Sequence, residues 1–259
     1  MDALFAQTLG VMETAFRRLE QQVPSPRPVP FMDGFVFRYI EKSPQQALVQ
    51  KLARVVSGLH AARLLNEHGL VQEQAVLQRT LDEFHEDILF LVYGLTIDTL
   101  TELHHEYLSA FYEEEFDRPD DPVASTQKRP MIPRKRIRAY LARVERLERD
   151  PSRGIELSRT LSKAYSGFVH GASPQVMDAY GGDPPQFHIA GMRGTPRIAV
   201  YRADLWNYFY RTILSFISVA QAFGDRSLAE DLRKYQDQFE AQSGTNYGRS
   251  ARGEDESGA

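Results

Sequence analysis

The chain has 259 residues, 42% of them apolar, a net charge of −4 and no cysteine. The length is enough to bury an ordinary core. The missing cysteines exclude disulfides, thiolate metal sites, iron–sulfur clusters and cysteine nucleophiles, and the small negative charge gives no global pull toward nucleic acid.

No run approaches the ~18 uncharged apolar residues that a membrane span needs. The opening residues, Met1 to Gln7, lack a basic stretch leading into an apolar core. A cytoplasmic protein with no secretory signal and no membrane partner is therefore expected.

In chain order, Leu4, Leu9, Met12, Phe16, Leu19 and Val23 recur at helical spacing, which predicts an amphipathic helix over 1–23. Four prolines between Pro24 and Pro30 break it and predict an extended connector over 24–42. Within that connector the aromatic run Phe31 to Ile40 forms a short strand or an ordered loop. Ser43-Pro44 is a helix start, with an N-cap followed by proline at the first helical position. The helix it opens runs through Leu48, Leu52, Val55, Leu59 and Leu64 to Gly69.

Helical spacing continues from Val71 to Tyr93 and from Asp98 to Phe116, interrupted at Gly94 and Thr96-Ile97. Residues Asp117 to Pro133 hold four prolines and predict a surface loop. Arg134 to Glu148 is helical, and Asp150-Pro151-Ser152 marks the start of another helix. Between Gly171 and Pro196 glycines and prolines are dense. There Phe187–Ala190 and Arg197–Tyr201 predict two strands of a small hairpin.

Asp204 is expected to cap an aromatic helix ending at Gly224, and a last helix runs from Ser227 to Gln242. The segment 243–259 is Gly, Ser and charge, which predicts disorder. Together these describe an all-α protein: a bundle of five to seven helices in one domain over 1–242, with a β-hairpin near 187–201. There is no internal repeat and no Gly-rich phosphate loop, and no cofactor is expected.

The chemistry concentrates in Arg159 to Gly171. At ~100° per residue, Arg159, Ser166 and His170 fall within about 40° of one another on a helix. Tyr165 lies one step round. His170, at a helix end before Gly171, has the residue type for a general acid/base, and Arg159 could grip a phosphate with its planar fork. The structural alternatives are a histidine that satisfies carbonyl groups, and an arginine that anchors a carboxylate such as Glu83 on a neighbouring helix.

Arg79 and Glu83, four residues apart, form an intrahelical pair in a segment flanked by apolar residues. They predict a polar network inside the bundle, where that helix meets the helix carrying Tyr165 and Ser166.

Two segments, Leu77-Gln-Arg79-Thr-Leu-Asp-Glu83 and Tyr165-Ser-Gly-Phe-Val-His170-Gly, resemble signatures of a family of bacterial helical proteins. That family is similar to the HEPN superfamily of helical bundles. The resemblance implies a ribonuclease or a defence protein, often a homodimer, over roughly residues 45 to 242. Active members carry an arginine, four to six intervening residues and a histidine. Arg79 and His85 have five, with polar Thr80 next to the arginine, and on a continuous helix they lie ~120° apart.

Two further patterns bear on function. The basic residues Lys128, Arg129, Arg134, Lys135, Arg136 and Arg138, continued by Arg143, Arg146, Arg149 and Arg153, follow the acidic Glu113–Asp121 stretch. They offer either a phosphate-contacting face for RNA or a solvated helix paired with that stretch. Glu102-Leu-His-His105 and Asp82-Glu-Phe-His85 have the Glu-x-x-His type of spacing seen in di-iron bundles, which would need further carboxylates such as Glu13, Glu20 or Glu67.

Three functional readings follow. The first is a metal-independent ribonuclease with His170 as acid/base, Arg159 on the phosphate and the basic run steering RNA. The second is a non-enzymatic helical interaction module, and the third is a carboxylate–histidine metal protein.

Overall fold

The structure, a computed structural model, describes residues 1–97, 99–127, 129–145 and 165–245. It is an all-α bundle with a small β-hairpin. The long helices are α1 (Asp2–Glu20), α2 (Pro44–Glu67), α3 (Val71–Thr96), α4 (Glu102–Tyr112), α5 (Arg134–Glu145), α7 (Arg197–Ala222) and α8 (Arg226–Ser243); α6 (Ser173–Met177) is a single short turn of helix. Strands β1 (Arg27–Phe31) and β2 (Gly34–Arg38) pair antiparallel, as do the two-residue strands β3 (Tyr180–Gly181) and β4 (Gln186–Phe187). Among the described residues no helix is long and apolar enough to cross a membrane.

α3 sits between α2, α5 and α7, while α1 closes the opposite side against α2, α7 and α8. The core is strongly aromatic. Phe5 stacks on Phe209 at 4.3 Å, and Trp206 stacks on Tyr210 and Phe239. Each such buried ring contributes about 1.5–3 kcal/mol. The aromatics from Trp206 to Tyr210 are therefore spent on packing and offer no stacking surface.

Local signals explain most boundaries. Ser43 and Gln46 form a reciprocal capping box at the start of α2. Gly69, Gly224 and Gly244 take left-handed φ of 76°, 75° and 68° where α2, α7 and α8 end. Gly171 does the same, at φ 60°, after the helical turn 165–169.

Four sequence expectations need correction. Arg197–Tyr201 is not a strand but the first turn of α7, because Tyr201, Leu205 and Phe209 continue one buried helical stripe that outweighs the β-branched Ile198 and Val200. Asp204 consequently lies inside that helix and does not cap it. The long hairpin lies instead at 27–38, within the stretch expected to be a connector, and Phe187 belongs to the two-residue strand β4. Gly94 does not interrupt α3 either. A side chain there would meet the imidazole of His104 at 2.5 Å, so the glycine makes room for that ring to stack on Phe90 at 4.0 Å.

Candidate functional site

α3 carries polar residues on two of its faces, and both are buried. Toward α7 it presents Gln74, Gln78, Asp82 and His85, spaced four, four and three residues apart, a stripe about 16 Å long. Gln74 is fully engaged: its amide donates to the Tyr201 carbonyl at 2.9 Å and its oxygen accepts from Asn66 at 2.9 Å.

Asp82 accepts from Arg211 of α7 at 2.5 Å through Oδ1, while Oδ2 is buried without a hydrogen-bond partner. Both amide atoms of Gln78 and Nη1 of Arg79 are in the same condition. Burial holds the Asp82 carboxyl above the usual carboxylate range even though Arg211 and Arg79 pull the other way. Burial and the facing Asp82 push the Tyr208 phenol far above its normal range.

His85 is locked. Its Nδ1 lies 2.9 Å from Ser215 Oγ and its Nε2 3.4 Å from Thr212 Oγ1. Thr212 gives its only proton to the Tyr208 carbonyl at 2.7 Å, so it can only accept from His85. The ring is thus the Nε2–H tautomer, with Nδ1 accepting from Ser215. Complete burial, helped by Arg211, lowers its pKa well below normal and keeps it neutral. A neutral imidazole with both nitrogens engaged and almost no solvent contact is a packing group, not an acid/base.

Toward α5, α3 presents Glu86 and Asp87. Arg134 donates to both carboxylates, at 2.5 Å to Glu86 Oε2 and by a shorter contact to Asp87 Oδ1. Arg138 reaches Glu86 Oε1 at 2.9 Å, and Lys51 of α2 reaches Asp87 Oδ2 at 2.7 Å. The Lys51 ammonium also lies 5.0 Å from the Phe84 ring centre and 4.9 Å from that of Phe111. These cations hold an interface together.

The residues singled out in the sequence fall as follows. Arg79 and Glu83 pair within α3 at 2.8 Å. Tyr165 is buried and donates to Asp204 of α7 at 2.9 Å, and its phenol is pushed up by burial, by Asp204 and by Asp82. Asp82 lies within electrostatic range of both Arg79 and Tyr165. Ser166 is half-buried, and its carbonyl accepts from the His170 backbone N–H at 3.2 Å. The His170 side chain is exposed on the turn that ends that helix.

Arg159 and Lys128 lie outside the described residues, as do Arg146, Arg149, Arg153 and 246–259 of the predicted tail. Of the basic run, Arg129 pairs with Glu115 at 3.1 Å and Arg136 with Glu106 at 2.5 Å; Arg134 and Arg138 are in the α3 interface, and Lys135 is exposed.

Glu102 and His105, the metal-type pair, sit on an exposed face of α4. The neighbouring His104 is buried, with Nδ1 accepting from the Thr101 N–H at 3.1 Å and Nε2 3.0 Å from the Phe90 carbonyl. Among the described residues no three histidine, aspartate or glutamate side chains are placed to hold a metal ion.

One cavity stands apart from these networks. About 270 Å³ in volume, it lies beside the first turn of α3 and is lined by Val71, Gln72, Glu73, Phe187, His188 and Met192 among others. Its wall is fixed by two glycines. A side chain at Gly69 would strike the backbone of Met192 and Arg193, and one at Gly191 would strike the His68 carbonyl, so the 189–193 loop lies directly on the α2–α3 turn.

Asp82 with Arg211, and Asp87 with Lys51, were not singled out as interface groups from the sequence. The available signal was the repeat of polar residues along a helix whose other buried positions are apolar. Compared with protein-family models, with curated proteins and with solved structures, the chain has no match in any of the three.

Proposed function

We propose that this chain is a cytoplasmic, non-enzymatic helical interaction module whose internal polar groups fix how its helices pack. The observation that carries this is the fate of the arginines at 129, 134, 136 and 138: each is paired with a carboxylate of the same chain, two of them inside a helix interface. A cation already neutralised this way releases few counterions on meeting a phosphate, so these four arginines have little left to offer RNA. The fixed neutral tautomer of His85 supports the same conclusion for the Arg79–His85 spacing.

The HEPN-like reading, a defence or stress ribonuclease in which His170 is the acid/base and Arg159 holds the phosphate, draws support from one feature. His170 is exposed at a helix end, where it could reach a substrate. One experiment separates the two. Labelled single-stranded RNA is incubated with the purified chain at low salt, and anisotropy and strand length are followed for the parent and for His170→Ala. The module reading expects no cleavage by either protein. Cleavage by the parent that is lost in His170→Ala would overturn it.

A further inference from the structure

The hairpin β1–β2 has more exposed apolar surface than a two-stranded ribbon sustains alone, since such ribbons are marginal in water. Phe35, Phe37 and Met32 are 61%, 60% and 64% exposed. The register pairs Phe31 with Gly34, Pro30 with Phe35, Val29 with Val36 and Pro28 with Phe37. With a two-residue loop, Phe31 and Gly34 form the hydrogen-bonded pair next to the turn. The N–H groups of Arg27, Val29 and Phe31 then face β2, and positions 28 and 30 face outward.

Both outward positions of β1 are proline. That edge lacks the two donors a further strand would need, and no ladder bond is lost. The outer edge of β2 is the reverse. Phe35 and Phe37 point their N–H and C=O groups away from β1, and their rings meet edge to face at 5.4 Å on the exposed face. Among the described residues only the Phe37 carbonyl is engaged, accepting from Arg38 Nη1 at 2.9 Å, and its second lone pair is available.

We propose that the outer edge of β2 pairs antiparallel with β2 of a second copy of this chain, about a two-fold axis at Val36, to give a four-stranded sheet. This names the partner of the interaction module and rests on that reading. The segment Phe35-Val36-Phe37 is a palindrome, so the axis sets Phe35 opposite Phe37 of the second copy, as a hydrogen-bonded pair, and sets Val36 opposite itself.

Charge fits a like partner as well. Positions 34 to 37 carry none, and Arg38 faces Gly34 of the copy while already bound to Glu114 at 2.5 and 3.0 Å. No like charges are therefore opposed, and there is no charged group to select a foreign strand. The prolines of β1 close the sheet at four strands, so the assembly is a dimer and not a fibre.

The test uses the full chain at ~100 μM, well above a micromolar dissociation constant. Sedimentation should give a dimer that dissociates on dilution. Phe35→Pro closes the β2 edge as Pro28 and Pro30 close that of β1, and should give a monomer with unchanged helical circular dichroism and melting. The chain has no cysteine, so Val36→Cys introduces one thiol per protomer. At a non-hydrogen-bonded pair two such residues sit ~4.5 Å apart and can form a disulfide. Mild oxidation should give a covalent dimer from Val36→Cys and none from Val29→Cys.

A monomeric parent, a dimer that survives Phe35→Pro, or a dimer whose Val36→Cys does not cross-link overturns the proposal. Failure here is distinct from failure of the module reading: a monomer that leaves RNA intact removes only the dimer, and RNA cleavage dependent on His170 removes only the module.

Discussion

On the α5 side of α3 all four carboxylate oxygens of Glu86 and Asp87 receive a charged donor, from Arg134, Arg138 and Lys51. On the α7 side Asp82 receives one, from Arg211, and its other oxygen, the Gln78 amide and Arg79 Nη1 are buried without a hydrogen-bond partner. The two interfaces belong to one helix and have similar burial, so depth does not explain the difference. Geometry does. Two arginines and a lysine on two neighbouring helices converge on adjacent carboxylates, whereas α7 brings a single arginine to a stripe that mixes an acid, an amide and an imidazole. The first arrangement is an ion cluster with its acceptors filled, in which Arg134 Nε is the atom left buried without a partner. The second leaves a carboxylate oxygen and a whole amide unfilled.

The largest effect expected from that contrast is at Asp87. Asp87→Asn leaves Lys51 and Arg134 short of a counter-charge in a buried interface, and should lower unfolding stability by about 3–5 kcal/mol. Urea denaturation with an unchanged m-value measures it, and a loss under ~1 kcal/mol would show that the cluster relaxes or hydrates.

Gln78 should respond with the opposite sign. Replacing the orphaned amide by leucine removes a buried polar group that makes no bond, so Gln78→Leu should stabilise by about 1–3 kcal/mol. Destabilisation in the same titration would mean that the amide has a partner in solution.

The smallest effects are pH slopes, and they too run in opposite directions. His85 has a lowered folded pKa, so its contribution is complete above its unfolded value of about 6.5 and is lost as pH falls below it. His85→Leu should flatten that acid slope. Asp82 has a raised folded pKa, so the folded state binds its proton more tightly and the ionised group opposes folding above that pKa. Relative to the parent, Asp82→Asn should therefore gain stability as pH rises from about 4, the unfolded value, toward neutrality. The gain is about 1.4 kcal/mol for every tenfold by which folding tightens the carboxyl's hold on its proton. Thermal melts across pH 4–8 check both. Identical slopes for the parent and Asp82→Asn would place that carboxylate in water.

How much of this was legible in sequence varies by element. The capping signal Ser43-Pro44 and the terminal glycines 69, 171 and 224 act within a few residues of themselves, so their helix ends could be read directly. Arg197–Tyr201 could not. Its β-branched residues favour a strand locally, and only the core that receives Tyr201 and Leu205 makes it helical. Arg79 and Glu83, on one helix, pair as their spacing requires, whereas the partners of Asp82, Asp87 and Tyr165 lie 36 or more residues away along the chain. Nothing local specifies a separation of that kind.

The sequence by itself determined the helical class, most helix boundaries, the absence of thiol chemistry and the pairing of Arg79 with Glu83 on α3, because each depends on near neighbours or on composition. The tertiary structure decided which charges neutralise which, that His85 is sealed and neutral while His170 is exposed, and that the prolines at 28 and 30 close one edge of a ribbon and leave the other open. Those outcomes depend on which helices and strands lie side by side, and that is settled by the packing of the whole core.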